Sequence, residues 1–127
     1  GITKVVGIEA RGFIGGAMLA VDLNAGFVPL RKPGKLPAET IQKEYAKEYG
    51  TDVIEIHKDA ISSDDIVVIH DDLLATGGTM MAAYELVKSM NPKKVYINFI
   101  CELLGLNGRA IFPADVEVTS LFGFPDK

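Results

Sequence analysis

Residues 66–79 read IVVIHDDLLATGGT and pass from an apolar run through two acids into a turn of small residues. The β-branched run at 66–69 is typical of a strand buried on both faces of a parallel sheet. We expect residues 71–78 to form a loop, because Asp, Thr and Gly favour turns. A helix should follow, since apolar side chains from Met80 onward recur at helical spacing until Pro92 ends the pattern.

The flanking sequence repeats this alternation of strand and helix. Further apolar runs predict strands at 5–8, 27–30, 53–57, 95–100 and 116–121, and a buried helix at 13–24. Pro29 has no amide hydrogen, which disfavours a central place in the sheet for the second strand. Because strands alternate with helices and crossovers are right-handed, we expect an α/β fold whose mostly parallel twisted sheet is flanked by helices.

Composition and charge limit the classes of protein. The 127 residues are 48% hydrophobic and 24% charged, which suits a single domain over residues 1–127 with its own core. The net charge of -4 argues against a nucleic-acid-binding surface, and no apolar run approaches the roughly 20 residues that cross a bilayer. A lone cysteine and the lack of a leader-like opening segment favour a cytoplasmic protein that binds neither nucleic acid nor membrane.

Cysteine and histidine offer little chemistry in this sequence. Cys101 ends an apolar run, so we expect a buried structural thiol rather than a nucleophile. His57 and His70 do not have metal-ligand spacing with any other His or Cys. We therefore expect no metal site made of protein side chains.

Residues 31–52 differ in composition from the rest of the chain. They are rich in charge, contain Pro33, Gly34 and Pro37, and have little core-forming pattern. Long loops in compact domains usually carry function. We expect a mobile surface loop or hairpin that acts as a lid.

The turn at 75–79 has the properties of an anion site. Free amides at a helix start and the positive end of the helix dipole favour a bound anion. Glycines let the main chain approach a phosphate closely, and Thr76 and Thr79 add hydroxyl donors. No Gly-Lys-Ser/Thr follows, as it would in a P-loop, so nucleoside triphosphate hydrolysis is disfavoured.

Asp71 and Asp72 do not suit a site that binds only an anion. A carboxylate about 8 Å from a phosphate is repelled by roughly 2 kcal/mol at an effective dielectric of about 20. The pair suits a ligand that presents hydroxyl donors or a bound cation beside its phosphate, as ribose 5-phosphate does. The alternative is a structural turn in which Asp and Thr only cap the helix.

The segment 66–79 closely resembles the phosphoribosyl-pyrophosphate signature of the type I phosphoribosyltransferases. Only His70 departs from it, since such strands usually carry an aliphatic residue there. The resemblance implies that Asp71 and Asp72 hold the ribose hydroxyls and that a loop holds the 5-phosphate. The implied loop residues are Ala75, Thr76, Gly77, Gly78 and Thr79.

Basic residues cluster near the ends of the first two predicted strands. They are Arg11, Arg31, Lys32 and Lys35. Ligands of open α/β sheets bind at the carboxyl ends of the strands, so these cations are expected to face the same crevice. Arginine suits bidentate contact with pyrophosphate. For Lys32 alone we favour a solvated charge.

Further blocks resemble the adenine phosphoribosyltransferases in sequence, order and approximate spacing. They are GIEARGF at 7–13, RKPGKLP at 31–37, EYGTD at 48–52, and EL at 102–103 with GR at 108–109. This resemblance covers nearly the whole chain. It implies a type I phosphoribosyltransferase-like core with a flexible lid hairpin, and a non-proline cis peptide in the loop near Arg11.

The reaction implied by this resemblance belongs to purine salvage. Ribose 5-phosphate passes from phosphoribosyl pyrophosphate to N9 of adenine, which gives AMP and pyrophosphate. Arg11, Arg31 and Lys35 would contact pyrophosphate, and Leu103 would pack on the adenine. Magnesium would be bound mainly through phosphate and ribose oxygens of the substrate, where it neutralises charge on the leaving group.

The resemblance gives the predicted lid two catalytic residues. Glu48 would exchange a proton with the purine ring, and Tyr49 would close over the reacting centre. A lid suits this chemistry because water competes for the ribosyl cation-like centre. From the residues alone, Glu48 is more simply a solvated charge and Tyr49 a partly buried packing residue.

The family also carries features outside these motifs. Its members are usually homodimers, and a segment ahead of the first strand forms a hood over the adenine, which we expect to be missing from residues 1–127. Two alternatives stay open: a phosphoribosyltransferase for another base, and a non-catalytic regulator that senses phosphoribosyl pyrophosphate. The acidic charge argues against a regulator that also binds DNA or RNA.

Overall fold

A parallel sheet of five strands forms the centre of the computed structural model, which describes residues 1–46 and 49–125. In chain order the elements are β1 (Lys4–Ile8), α1 (Arg11–Leu23), β2 (Gly26–Leu30), β3 (Thr40–Ala46), β4 (Thr51–His57), β5 (Ile66–Leu74), α2 (Gly78–Lys88), β6 (Lys94–Leu103) and β7 (Val118–Phe124). Two short 3-10 turns, Leu104–Leu106 and Gly108–Ile111, lie between β6 and β7. The sheet order is β2-β1-β5-β6-β7, and each neighbouring pair is parallel.

The expected α/β architecture is confirmed. β2, which contains Pro29, lies at one edge of the sheet, where a missing amide hydrogen disrupts least. Helix α1 covers β1 and β5 on one face, while α2 and the β3–β4 hairpin cover the other and bury most of the core. Within the described ranges, every helix is too short or too polar to span a bilayer.

β5 extends further than the sequence indicates. The expected loop at 71–78 is wrong for its first half, because the strand continues to Leu74. β6 is long enough to pair with it there, with Asp71 opposite Phe99 and Leu74 opposite Glu102. Leu74 is also buried, so its side chain stabilises the strand end. Both acids therefore lie on a hydrogen-bonded strand, which fixes their backbone.

Residues 31–52 contain one strand of a hairpin, which is one of the two forms expected for this segment. β3 pairs antiparallel with β4, and the hairpin packs on α2. Lys43 Nζ lies 3.4 Å from a carboxylate oxygen of Glu85 across this contact. The hairpin therefore lies beside the helix that begins at the small-residue turn.

The expectation that Cys101 is buried is wrong. Its side chain is half-buried, because its neighbour β7 forms the other edge of the sheet and carries exposed residues such as Leu121 and Phe122. The apolar run that contains Cys101 indicates a strand correctly, but burial of each face depends on the neighbouring strand.

At the amino ends of the strands, Asp65 forms a buried polar centre. Its carboxylate accepts hydrogen bonds from the Thr3 hydroxyl at 2.7 Å and the Ser62 amide at 2.8 Å, and Lys4 Nζ lies 3.2 Å away. Burial disfavours the charged carboxylate, but these donors outweigh burial and lower the pKa of Asp65. The cluster ties β1 to the start of β5.

Replacement of Asp65 by asparagine should destabilise the fold. At pH 7 we expect Asp65→Asn to lower the free energy of unfolding by roughly 1–3 kcal/mol, since three donors lose a charged acceptor. A lowered folded pKa means that this stabilisation is present above the unfolded value and is lost as the pH falls through the folded value. Urea denaturation at neutral and acidic pH measures both effects. Asp64→Asn, at an exposed neighbour, is the control, and an equal loss there at pH 7 would contradict the assignment.

Candidate active site

The loops that follow β1 and β5 lie beside each other, because both strands end on the same side of the sheet. Two polar cavities of about 260 and 210 Å³ lie there. Both are lined by Arg11, Asp71 and Thr79. The smaller cavity is also lined by the turn 75–78, and the larger by residues of the β3–β4 hairpin. The expected crevice is therefore formed by the loops that the sequence indicates.

The turn at 75–79 presents the start of α2 to the smaller cavity. Gly77 precedes the helix with φ of +91°, a left-handed conformation that glycine adopts without a Cβ clash. Within the described residues, no side chain caps the helix by a hydrogen bond. The interpretation of Asp and Thr as mere caps is therefore not supported, and the first amides of α2 are open to an anion.

The acid pair is partly buried and electrostatically coupled. The Asp72 amide donates a 2.8 Å hydrogen bond to Asp71 Oδ1, and Arg11 Nε lies 3.1 Å from Asp72 Oδ2. Burial raises the pKa of Asp71 to about 7, and the neighbouring Asp72 charge adds to the effect, whereas the Asp72 amide and Arg11 oppose it. Asp72 Oδ1 is buried and has no hydrogen-bond partner among the described residues. The pair therefore carries unused acceptor capacity.

Arg11 begins α1 directly after the loop that leaves β1. The Glu9–Ala10 peptide bond in this loop is cis, as the resemblance implies. The Arg11 side chain is 75% exposed although it pairs with Asp72. It can therefore reach a ligand in either cavity.

The other basic residues separate into two groups. Arg31 donates to both carboxylate oxygens of Glu9, at 3.1 and 3.4 Å, and lies 5.6 Å from the centre of the Phe13 ring. It does not line either polar cavity. Lys32 does line the larger one, with Nζ 3.9 Å from Asp52, whereas Lys35 is exposed outside both.

The charges around Glu9 stabilise its carboxylate. The hydrogen bond from Arg31 is the main cause of a lowered Glu9 pKa, which the Lys32 amide and the charge of Lys35 lower further against the effect of burial. Arg31 therefore shapes the loop ahead of Arg11 in this conformation. Lys32, which the sequence alone assigns to solvent, is 59% exposed and also lines the larger cavity, whereas Arg31 does not.

Tyr45 is a site residue that the sequence motifs do not reveal. Its hydroxyl lies 3.3 Å from Thr79 Oγ1, and its side chain lines the larger cavity. Most of β3 alternates half-buried and exposed residues, and this alternation is the one feature that could have indicated that Tyr45 faces inward. Which cavity it faces depends on how the hairpin packs on α2.

Besides Arg31 and Lys35, the predicted site residues Asp72, Tyr49 and Leu103 line neither cavity in the described part of the chain. Glu48 lies outside the described residues. Tyr49 is 84% exposed. Leu103 is half-buried at the end of β6, next to the 3-10 turn that follows.

Histidine is used structurally where the structure describes it. His70 is buried, and its Nδ1 lies 2.8 Å from Asn98 Oδ1 on the next strand. Across residues 1–46 and 49–125, no group of three or more His, Cys, Asp or Glu side chains is arranged to hold a metal ion.

Comparison with known proteins first defines the class. The model of the phosphoribosyl transferase domain family matches residues 1–110, which include both loops and the acid pair. This match places the chain in the phosphoribosyl transferase domain family.

Individual relatives narrow the family. The adenine phosphoribosyltransferase of Bacteroides thetaiotaomicron is 68% identical over 95% of this chain and 69% of its own length. The Rhodothermus marinus adenine phosphoribosyltransferase structure superposes with a TM-score of 0.92 at 54% identity, covering 97% of this chain and 70% of that one. The chain belongs to the adenine phosphoribosyltransferase family, as its motifs indicate.

A third relative shows a ligand pair. The Saccharomyces cerevisiae adenine phosphoribosyltransferase, complexed with an imino-altritol bisphosphate and adenine, has a TM-score of 0.88 and 45% identity. The match covers 95% of this chain and 68% of that one. This chain thus spans between 68% and 70% of the length of the three relatives.

The raised pKa of Asp71 predicts a pH-dependent stability. A carboxyl whose folded pKa is about 7 stabilises the fold below its unfolded value of 3.8, and this contribution is lost as the pH rises through about 7. We expect Asp71→Asn to remove the decline in unfolding free energy between about pH 4 and 7, because the amide does not ionise. Urea denaturation across this range measures it. Asp22→Asn, on the exposed face of α1, is the control, and an unchanged decline in Asp71→Asn would refute the assignment.

Proposed function

We propose that this chain transfers ribose 5-phosphate from phosphoribosyl pyrophosphate to N9 of adenine and releases AMP and pyrophosphate, with magnesium. The observation that carries the proposal is the adjacency of the uncapped start of α2 and the acid pair at the end of β5. One element offers amides for an anion, and the other offers carboxylates for alcohols. Membership of the adenine phosphoribosyltransferase family supports the choice of substrates.

The two ends of the ribose 5-phosphate meet different partners in this proposal. The 5-phosphate accepts hydrogen bonds from amides of the turn 75–79 and from the Thr76 and Thr79 hydroxyls. The ribose hydroxyls donate to Asp71 and Asp72. Ionised carboxylates only accept hydrogen bonds, and a cation beside the pair would favour the ionised form of Asp71, so the pair selects a diol over a second anion. The sugar is thereby oriented before any bond changes.

Pyrophosphate leaves from the anomeric carbon, and its growing charge needs cations. Arg11 is the primary candidate, since its exposed guanidinium lines both cavities. Lys32 is the second, because it lines the larger cavity. Arg31 and Lys35 remain proposed contacts, but Arg31 would have to leave Glu9 before it could reach the leaving group. Fixed cations near the leaving oxygen stabilise the transition state more than the ground state.

The residues beside the proposed sugar site fit a magnesium ion. Carboxylate oxygens are the hard ligands that magnesium prefers, and Asp72 Oδ1 is buried without a partner among the described residues. We propose that substrate oxygens hold most of the ion and that Asp71 and Asp72 lie beside it. When bound, magnesium supplies charge neutralisation to the leaving pyrophosphate.

The base side of the site depends on the β3–β4 hairpin and the end of β6. We propose that Glu48 exchanges a proton with the purine ring, that Tyr49 closes over the reacting centre and that Leu103 packs on the adenine. The Tyr45 hydroxyl lies 3.3 Å from Thr79 Oγ1 and so links the hairpin to the turn 75–79, which we call the phosphate turn. Closure of the hairpin would exclude water, which otherwise competes with adenine for the sugar.

We also propose that the chain forms a homodimer through α1. Ile14, Met18 and Val21 lie along one side of this helix and are 74%, 69% and 82% exposed. Apolar residues at this spacing are normally covered. A second copy that packs the same stripe against its own would cover both by a twofold contact.

The proposed reaction predicts a base preference. Release of pyrophosphate from phosphoribosyl pyrophosphate should be fastest with adenine in a panel with guanine, hypoxanthine and orotate, and should stop when magnesium is chelated.

Asp72→Asn should weaken the binding of phosphoribosyl pyrophosphate, measured by calorimetry, because one diol acceptor loses its charge. Asp64→Asn should behave as the wild type. Turnover that is faster with another base, or unchanged binding by Asp72→Asn, would contradict the proposal.

Glu48 gives a separate test in the same assay. Glu48→Gln keeps the size of the side chain but removes the proton exchange, so we expect kcat for adenine to fall roughly 10²-fold or more. Glu44→Gln, on the exposed side of β3, is the matched control. A kcat near that of the wild type would remove the catalytic role of Glu48.

The dimer proposal predicts a change in mass. Light scattering should give twice the chain mass for the wild type, and Val21→Glu should give the monomer because a charge would be buried at the contact. Leu121→Glu introduces the same charge at another exposed apolar residue and should leave the dimer intact. A dimer that persists in Val21→Glu would place the contact elsewhere.

A further inference from the structure

Glu102, near the end of β6, is a buried carboxylate that an arginine from the second 3-10 turn binds. Its side chain is 5% exposed, and Arg109 Nε lies 2.8 Å from each of its carboxylate oxygens. Ser120 on β7 donates to the same carboxylate at 3.1 Å. Arg109 donates further to the Val118 carbonyl and, at 3.3 Å, to the Ser120 hydroxyl. The Glu102–Arg109 pair thus ties the turn Gly108–Ile111 to two strands.

The turn that this pair anchors lies directly behind the phosphate turn. Gly108 is buried, and a Cβ on it would overlap the Ala75 carbonyl oxygen and come within 2.8 Å of Leu74 Cδ1. From the other side, a Cβ on Gly77 would lie 3.1 Å from the Gly108 carbonyl oxygen and 3.3 Å from Ile111 Cγ2. The backbone of one turn therefore packs against the backbone of the other without an intervening side chain.

Through this backbone contact, a displacement of the turn Gly108–Ile111 would displace residues 75–77. Arg109 follows Gly108 in the chain, so the place of its guanidinium restricts the place of the Gly108 backbone. A carboxylate as buried as Glu102 strongly disfavours any arrangement in which its partner is absent. Positions of the turn Gly108–Ile111 that would separate Arg109 from Glu102 are therefore disfavoured.

We propose that Glu102 and Arg109 are positioning residues for the phosphate turn, acting through the Gly108 backbone. The inference rests on the proposed function in assigning the 5-phosphate to residues 75–79. Neither residue lines the polar cavities in the described structure, so they contact no substrate in this assignment. Their action is to hold the amides at the start of α2 in the arrangement that accepts a phosphate.

Loss of the pair should affect the use of phosphoribosyl pyrophosphate as well as the stability of the fold. Hydrogen bonds to a phosphate weaken steeply with misalignment, and a displacement of about 1 Å at a binding group can cost on the order of 10²-fold in rate. Because the 5-phosphate would be held alike in the ground state and the transition state, loss of the pair should appear mainly in the Michaelis constant for the sugar substrate.

Glu102→Gln tests the pair, with Asp65→Asn as a matched control. Both remove a buried paired carboxylate, but Asp65 lies at the amino ends of the strands, away from the cavities. Both should lower the melting temperature. Only Glu102→Gln should raise the KM for phosphoribosyl pyrophosphate, by about tenfold or more, with a smaller change in kcat. An unchanged KM in Glu102→Gln, or an equal rise in Asp65→Asn, would overturn the proposal.

Gly108→Ala tests the path from the pair to the phosphate turn. It leaves Glu102 and Arg109 in place but forces the two turns apart, so it should raise the same KM. This variant keeps the proposal testable if Glu102→Gln does not fold. A KM like that of the wild type in Gly108→Ala would show that the contact does not transmit position.

Amide hydrogen exchange separates this inference from the proposed function. Without any ligand, the amides of residues 76–79 should exchange faster in Glu102→Gln than in the wild type, and no faster in Asp65→Asn. If the wild type lacked transferase activity, the proposed function would fail while this comparison still decided the positioning role. Equal exchange in Glu102→Gln and the wild type would overturn that role.

Discussion

Parallel pairing of β1 with β5 is the constraint that the candidate site depends on. The two strands lie side by side in the centre of the sheet, with Gly7 opposite His70. This register places the loop after β1 next to the acids at the end of β5, and the ion pair of Arg11 with Asp72 at 3.1 Å follows from it. A slip of the register by one residue would turn every side chain of one strand to the other face. Both faces of the two strands are buried, so the slip would put side chains of the wrong size into two close-packed interfaces, which disfavours it.

The site combines charges that would disfavour each other without a ligand. Two adjacent carboxylates lie beside a turn suited to a phosphate, and burial, together with the Asp72 charge, raises the pKa of Asp71 to about 7. Arg11 offsets part of this cost in the free protein. A ligand with hydroxyl donors, accompanied by a divalent cation, would offset more of it, whereas a simple anion would increase it. The arrangement therefore suits the proposed ligand, which carries its phosphate and its hydroxyl groups at different positions.

Local sequence is sufficient to predict site residues that lie together in one short motif at the end of a strand. The phosphate turn, the acid pair and Arg11 each lie at the end of a recognisable strand, and parallel sheets bring such ends together. Lys32 and Arg31 cannot be assigned in this way. They are neighbours in the chain, and which one faces the cavity depends on Glu9, far away in sequence, which holds Arg31 and the Lys32 amide. The extent of β5 likewise depends on the length of its partner β6.

Tyr45 and Glu102 escape sequence-based assignment to the site for a related reason. Each reaches the turn 75–79 only through the packing of another element. Tyr45 lies on a hairpin that packs on α2, and Glu102 binds Arg109 of the turn behind residues 75–79. A hydrophobic pattern assigns a residue to a face of its own element, but it does not show which other element covers that face.

The phosphate turn is supported on two sides by quite different contacts. Behind it, the backbone of Gly108 packs against Ala75 and Gly77, and the Glu102–Arg109 pair holds that backbone in place. In front, the hydroxyl of Tyr45 on the hairpin contacts Thr79. A rigid back preserves the geometry of the amides, so that a phosphate need not order them on binding. The hairpin in front is also anchored, because Ile54 and Ile56 of β4 belong to the core and Lys43 of β3 pairs with Glu85 of α2.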